Sequence, residues 1–220
     1  MKNLRLKNSD KKYWPGKIIC VGKNYADHVK EMGGEVLKYP VVFLKPASNL
    51  IFNDKKIVHP SHSKEMHHEV ELVLLIGRDV KDADDKSAEE AIAGYTVGLD
   101  MTLRDIQWEC KEKGQPWTLA KCFDTAAVVS NIVMKEDYQL KGTEKIELSV
   151  NKELRQNASL DQMLFNSVEI VKYLSSKMTL EEGDLVFTGT PAGVGKVVPG
   201  DLIEVKIENI GEFEIEVINN

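Results

Sequence analysis

The apolar positions of this chain recur mainly with the two-residue period of β-strands, interrupted by a few short stretches of helical spacing. Residues 18–21 form a short apolar strand running into Gly22-Lys23-Asn24, where Asn24 is placed to cap a helix through Met32 that Gly33-Gly34 ends. Residues 41–44 are a second strand, closed by Lys45-Pro46. Beyond the buried-strand pattern of residues 70–76 come an Asp-rich loop and a helix over residues 87–93, with Ser87 as cap and Glu90 completing a capping box. Residues 95–100 return to strand, and Thr102 opens a helix that stops at Gly114. Ile146, Leu148 and Val150 alternate with polar residues. Residues 202–208 and 212–217 alternate more cleanly, with Ile203, Val205 and Ile207 opposing Glu204, Lys206 and Glu208, and they read as a half-exposed antiparallel hairpin across residues 209–211. Strands dominate without regular βαβ alternation. The predicted class is therefore α+β, built on a rolled, largely antiparallel sheet.

One strand breaks its own pattern. His67-His68-Glu69-Val70-Glu71-Leu72-Val73-Leu74-Leu75-Ile76 reads as core, yet opens with two carboxylates. Side chains alternate along a strand, so Glu69 and Glu71 point the same way, with Val73 and Leu75 following on that face. Like charges beside apolar surface repel and resist desolvation unless a positive group lies between them. Asp100, where strand 95–100 meets its loop, supplies a third carboxylate. Three carboxylates and no thiolate cluster favour a hard cation, Mg²⁺ or Mn²⁺, with Ca²⁺ also open. His67 or His68 would shift the choice toward zinc, but adjacent strand residues face opposite ways. The competing reading of Glu69 and Glu71 is a solvated strand start.

Three further groups carry candidate chemistry. His28 and Glu31 are spaced to meet on one helix face, the orienting half of a general-base dyad or plain helix surface. Arg104, Gln107, Trp108 and Lys111 share a face by the same spacing, whereas Thr102 and Asp105 read as a capping pair. Lys121 sits in the apolar context Trp117-Thr118-Leu119-Ala120-Lys121; it either neutralises an anion or snorkels to the surface. The run Thr188-Gly189-Thr190-Pro191-Ala192-Gly193-Val194-Gly195 follows an apolar strand and aims backbone amides at an anion. It fails the nucleotide phosphate-loop template at Thr190 and Val197, leaving Thr190 as a candidate donor to a substrate carboxylate. No Gly-x-Ser-x-Gly elbow occurs, and Cys122 reads as a small buried hydrophobe.

Composition narrows the classes. At 220 residues the chain fits one substantial domain, assigned to residues 16–220, with 1–15 expected as a solvated, poorly ordered tail. A net charge of −6 with intermixed signs and no basic stripe argues against nucleic acid, and no apolar run reaches membrane-spanning length. Cys20, Cys110 and Cys122 are odd in number and widely spaced, which points to a reducing compartment, by default the cytoplasm.

Taken together, these segments resemble the fumarylacetoacetate hydrolase family, in its short single-domain acylpyruvase and oxaloacetate-processing branch. The carriers are Val21-Gly22-Lys23-Asn24-Tyr25-Ala26-Asp27-His28, Phe43-Leu44-Lys45-Pro46, His67-His68-Glu69-Val70-Glu71, Leu99-Asp100-Met101-Thr102-Leu103-Arg104-Asp105, Gly114-Gln115-Pro116-Trp117 with Lys121, and the glycine loop. The resemblance implies a mixed β-roll with short peripheral helices, a homodimer, and Mg²⁺ or Mn²⁺ held by Glu69, Glu71 and Asp100. It implies that Lys23, Asn24, Arg104, Gln107 and Thr190 contact a 2-oxo or diketo acid, and that His28, Glu31 and Lys121 are catalytic. Lys23 stands where some relatives carry arginine, which removes the bidentate carboxylate fork. The activity it implies is hydrolysis of a C–C bond in acylpyruvates through an enolate of pyruvate held at the metal. Oxaloacetate decarboxylation or tautomerisation, or isomerisation or hydration of a 2-hydroxymuconate-type diacid, would use the same enolate chemistry. A metal-binding protein of this fold without turnover is the alternative of another class.

Overall fold

A computed structural model describes residues 3–33, 35 and 38–220. Strands β1 (Ile18–Gly22) and β2 (Val41–Lys45) flank helix α1 (Ala26–Glu31). Then follow β3 (Leu50–Phe52), β4 (Ile57–His59), β5 (Met66–His68), β6 (Val70–Ile76), α2 (Asp85–Ala91), β7 (Ile92–Asp100), β8 (Thr102–Leu103), α3 (Arg104–Glu112) and α4 (Thr118–Lys121). The second half holds β9 (Ala127–Val129), β10 (Val133–Met134), β11 (Lys145–Val150), β12 (Glu153–Ser159), α5 (Ser167–Lys177), β13 (Leu185–Phe187), β14 (Gly195–Lys196), β15 (Leu202–Ile207) and β16 (Gly211–Asn219).

The main sheet runs β2-β1-β13-β6-β7-β9-β3, with β10 beside β7. Its neighbours are antiparallel except for the β1–β13 and β3–β9 pairs. A second sheet runs β12-β11-β15-β16-β4, and a small one β14-β5-β8. The mixed α+β class and the rolled sheet expected from the sequence are what the chain forms.

The roll follows from which side chains meet. Ile18, Cys20, Leu50, Phe52, Val73, Leu75, Ala127, Val129, Leu185 and Phe187 pack into one cluster although they come from strands across the main sheet. One face can gather such separated strands only by curling around them. Strand β7 offers this face Gly98, where a Cβ would stand 2.7 Å from Val73 Cγ2 and 2.8 Å from the Val128 carbonyl; only glycine fits so close an approach. The opposite face, with Val70, Leu72, Leu74, Ile76, Val97 and Leu99, packs against α2, α5 and the alternating apolar residues of the second sheet. That second sheet keeps the predicted pattern, with Ile203 opposite Ile215 and Val205 opposite Phe213.

Several element boundaries differ from expectation, each for a local reason. Asn24 does not cap α1: its amide donates to the Phe165 and Thr188 carbonyls and accepts from the Phe165 amide, and Tyr25 takes the cap position. Gly33 does end that helix at φ 65°, whereas Gly34 lies outside the described residues. Helix α2 starts earlier than expected, because Asp84 rather than Ser87 is the cap and Ser87 closes the box from inside. Thr102 belongs to β8, and α3 starts at Arg104 because Asp105 accepts from Ser63 Oγ and the Lys64 amide instead of capping with Thr102. The segment expected as a solvated tail contributes Leu4 and Tyr13 to the roll's apolar cluster, and Leu6 bridges to Ile132. Its apolar residues are too sparse to show period, but Leu4, Leu6 and Tyr13 pack into or against the core, while Trp14 stays exposed. Among the described residues no helix is long and apolar enough to cross a membrane, and the three cysteines are free.

Candidate active site

The carboxylates meet where β6 and β7 run side by side. Glu71 lies in β6 opposite Gly98, and the Asp100 amide donates to the Glu69 carbonyl at 2.9 Å, which brings the end of β7 across from the start of β6. One oxygen from each of Glu69, Glu71 and Asp100 lies within 4.8 Å of the others. All three are buried, at 5%, 2% and 1% exposure. The solvated strand start is therefore ruled out.

Buried carboxylates require compensation, and three cations supply most of it. Lys121 Nζ donates to Glu69 Oε2 at 2.8 Å, Asp100 Oδ2 at 2.7 Å and Thr102 Oγ1 at 2.6 Å. Burial alone would pull its ammonium down, but Asp100 and Glu69 outweigh it and raise it above its ordinary value. Arg104 donates to Glu69 through Nη2 and to Gln107 Oε1 through Nη1, the latter at 2.6 Å. Burial pushes the Glu69 carboxyl up, yet Lys121 and then Arg104 hold it well below the usual carboxylate range. Lys45, fully buried at the end of β2, donates to the carbonyls of Met101 and Ala126 and stands 2.7 Å from Asp100 Oδ1.

These residues fit a hard divalent cation. Among the described residues Glu71 has no cationic partner, and its side chain's one hydrogen bond there is from the Gly189 amide at 2.7 Å. Burial, then the Asp100 and Glu69 carboxylates, push its carboxyl well above the ordinary value. The Lys45–Asp100 contact lacks hydrogen-bond geometry and leaves Asp100 Oδ1 without a donor. A buried all-oxygen donor set with an uncompensated carboxylate is what Mg²⁺ or Mn²⁺ accepts. His67 and His68 do not join it. His68 faces Gln156 Oε1 at 3.0 Å, and His67 Nε2 lies 3.6 Å from Glu65.

Around this triad a cavity is lined by Lys23, His28, Arg104, Gln107, Lys121 and Thr190, among others. His28 Nδ1 lies 3.0 Å from Glu31 Oε2, and the other Glu31 oxygen accepts from the Gly193 amide at 3.0 Å. The glycine loop thus clamps the carboxylate that orients the imidazole. The same loop places Gly189 at φ 99°, where its amide meets Glu71 and a Cβ would press on Asn24 Cβ at 2.7 Å. Asn24 is the exception among the expected substrate contacts: it is fully buried, outside the cavity wall, with its amide committed to backbone groups. Cys122 is half-buried and donates to the Leu44 carbonyl at 3.3 Å.

Sequence reasoning missed two residues. Lys45 carries the same signal as Lys121, a lysine in an apolar segment, but spacing alone assigns it no role. Gln156 left no local signal, since β12 is otherwise mostly exposed. It is fully buried, accepts from the Val70 amide and faces His68 through Oε1, and donates through Nε2 to Thr190 Oγ1 and the Pro191 carbonyl, both at 2.8 Å.

The chain is similar to known proteins in sequence and in fold. Residues 17–218 match the family described as fumarylacetoacetate (FAA) hydrolase, C-terminal. The chain is 45% identical over 204 residues to oxaloacetate tautomerase FAHD1, mitochondrial, of Rattus norvegicus, covering 93% of this chain and 92% of that protein. It is 43% identical over 204 residues to the mitochondrial oxaloacetate decarboxylase of Dictyostelium discoideum, covering 90% and 93%. Among solved structures, fumarylpyruvate hydrolase from Pseudomonas aeruginosa in complex with Mn²⁺ and pyruvate superposes with a TM-score of 0.95 at 37% identity, over 100% of this chain and 96% of that one.

Proposed function

The chain belongs to the fumarylacetoacetate hydrolase family, and on that premise we propose that it is a divalent-metal-dependent enzyme that forms and stabilises the enolate of a 2-oxo acid. The favoured reaction is keto–enol interconversion of oxaloacetate, the substrate named for the curated relatives. Glu69, Glu71 and Asp100 would hold Mg²⁺ or Mn²⁺, which when bound supplies a Lewis acid for the oxygens of the 2-oxo acid. The observation that carries the reading is the Lys121 ammonium, buried and fixed between Glu69 and Asp100 on the wall of the cavity. A preorganised cation there stabilises negative charge as it develops and needs no reorganisation during the step. Arg104 and Gln107 hold each other in place beside it, and Thr190 offers a hydroxyl to the substrate carboxylate. His28, oriented by Glu31, takes the proton from the carbon next to the 2-oxo group and returns it.

The direct test follows the decay of enol-oxaloacetate by its ultraviolet absorbance. Acceleration by the wild type with Mg²⁺ or Mn²⁺, abolished in Glu71→Gln, is expected. No acceleration with either metal would remove this reading.

Hydrolysis of acylpyruvates is the second reading, and the His28–Glu31 contact of 3.0 Å favours it. The same base would take a proton from water, the hydroxide would attack the distal carbonyl, and the C–C bond would break to leave the enolate of pyruvate. His28→Ala should then lose about 10²–10⁴-fold in hydrolysis while still binding Mn²⁺. Wild-type hydrolysis by that variant would exclude His28 as the base. Metal-dependent stabilisation without turnover of any 2-oxo acid would favour a non-catalytic role. The homodimer implied by the family resemblance is tested by sedimentation equilibrium, where a monomer mass would discard it.

A further inference from the structure

The proposed reaction leaves the buried ammonium of Lys45 without a task. Its side chain has 0% exposure and lies outside the wall of the triad cavity, so it touches no substrate. A charge taken this far from water is costly and persists only where its surroundings hold it. Two backbone carbonyls do so, those of Met101 at 3.0 Å and Ala126 at 2.9 Å. Both flank Asp100: Met101 follows it in the chain, and Ala126 precedes Ala127, its partner across the β7–β9 pairing. The Met101 amide also donates to the Ala126 carbonyl at 2.9 Å, which closes the frame. Held there, Lys45 Nζ stands 2.7 Å from Asp100 Oδ1.

A second observation concerns how many oxygens the triad can turn toward one ion. Asp100 lies between two ammoniums, with Oδ1 facing Lys45 and Oδ2 accepting from Lys121 at 2.7 Å. Glu69 is tied in the same manner, Oε1 to Arg104 and Oε2 to Lys121 at 2.8 Å. Swinging both oxygens of either carboxylate onto one ion would break a buried charge contact. Asp100 and Glu69 therefore each meet an ion with a single oxygen. Ca²⁺ collects about six to eight oxygens and often takes both from one carboxylate. A small six-coordinate ion is satisfied by single oxygens, with water or substrate completing the set.

We propose that Lys45 is a positioning residue for the metal site: it holds Asp100 to single-oxygen ligation, so that the site takes Mg²⁺ or Mn²⁺ and rejects Ca²⁺. The inference rests on the reading of Glu69, Glu71 and Asp100 as metal ligands, and it assigns ion selection to a residue outside the ligand set. Groups that orient ligands from behind typically change metal affinity about 10- to 100-fold when they are removed. Losing the Lys45 charge draws Mn²⁺ and Ca²⁺ in alike, because both carry the same charge. A general loosening of the roll weakens both together. The oxygens that Asp100 offers are what separate the two ions, so the ratio of their affinities isolates this role from a structural one.

The test is a competition titration without substrate. Mn²⁺ binding is followed by the electron paramagnetic resonance signal of the free ion, and Ca²⁺ is added as competitor. The wild type should keep Mn²⁺ against a large excess of Ca²⁺. Lys45→Met should lower the ratio of the Ca²⁺ and Mn²⁺ dissociation constants about tenfold or more, and Lys206→Met should leave it at the wild-type value. Far-UV circular dichroism checks that each variant is folded; should Lys45→Met not fold, Lys45→Gln is measured in its place, with the same direction expected. Displacement of Mn²⁺ from the wild type by an equal concentration of Ca²⁺ overturns the inference and leaves the metal reading standing. A wild-type ratio in the folded Lys45 variant does the same. No binding of Mn²⁺ by the wild type overturns the metal reading, and this inference with it.

Discussion

Strands β6 and β15 are each paired on both sides by antiparallel neighbours, yet they carry information in opposite ways. In β15, Ile203, Val205 and Ile207 are buried and Lys206 is exposed, so the sequence shows directly which face is inside. Every residue of β6 is buried, because the roll covers one face and helices and the second sheet the other. Polarity in an alternating strand reports solvent; in a strand covered on both faces it reports chemistry. Glu71 is informative for that reason, and Glu204 is not.

Two lysines break or sharpen that contrast most strongly. Lys45 has 0% side-chain exposure and faces Asp100, whereas Lys206 has 56% and pairs with Glu212 at 3.1 Å. Removing one partner of a buried pair leaves an uncompensated charge and costs about 3–5 kcal/mol. An exposed pair contributes roughly 0–1 kcal/mol. Lys45→Met should therefore lower urea-unfolding stability by several times the effect of Lys206→Met. Equal losses would show that Asp100 does not depend on Lys45.

Metal loading comes next. Glu71 has no salt bridge to a cationic side chain among the described residues, so a divalent ion should stabilise the roll and leave the outer sheet indifferent. With Mn²⁺ at a hundredfold excess over its Kd, linkage gives about 2.7 kcal/mol, read as a rise in Tm that a chelator reverses. Glu71→Gln should abolish the rise, and Glu204→Gln should keep it. A rise that survives Glu71→Gln would place the ion elsewhere.

What the sequence made legible divides along the same line. The hairpin, the buried strand and the carboxylate triad were readable because each depends on local pattern or on a residue type out of place. Asn24 misled because a helix cap and a clamp on distant backbone use the same amide. Leu4 and Tyr13 were unreadable because a segment without period shows its burial only when the sheet it covers exists. Gln156 was hidden by topology: β12 looks exposed, and only the glycine loop's return past it closes the site.

Gln156 is also where the two regions meet, which gives a third test. The Val70 amide fixes its Oε1 and the Pro191 carbonyl fixes its Nε2, so the amide has one orientation. Thr190 Oγ1 must then accept from Gln156, and its own proton is left for the cavity it lines. Hydrogen bonds to charged groups contribute about 1.5–3 kcal/mol. Thr190→Val and Gln156→Glu should each raise KM for the 2-oxo acid about tenfold or more, with smaller changes in kcat. The double variant should be no worse than Thr190→Val alone. Additive effects would make Gln156 a packing residue of the outer sheet and nothing more.

The smallest effect is in pH. Burial pushes the His68 imidazole down to about 4, against about 6.5 for a histidine in an unfolded chain. Folding therefore favours the neutral ring, and the unfolded chain binds the extra proton first as pH falls. The contribution is fully present above pH about 6.5 and is lost toward pH about 4, at roughly 1.4 kcal/mol per pH unit. Its neutral Nδ1–H is the donor that Gln156 Oε1 accepts, so the pH dependence reports on the seam and not on the triad. Urea unfolding at pH about 7.5 and about 5.5 should show wild type losing about 1.4 kcal/mol more than His68→Gln over that interval. If the two proteins lose the same amount, the ring is not held neutral and the seam is more open than the packing around Gln156 implies.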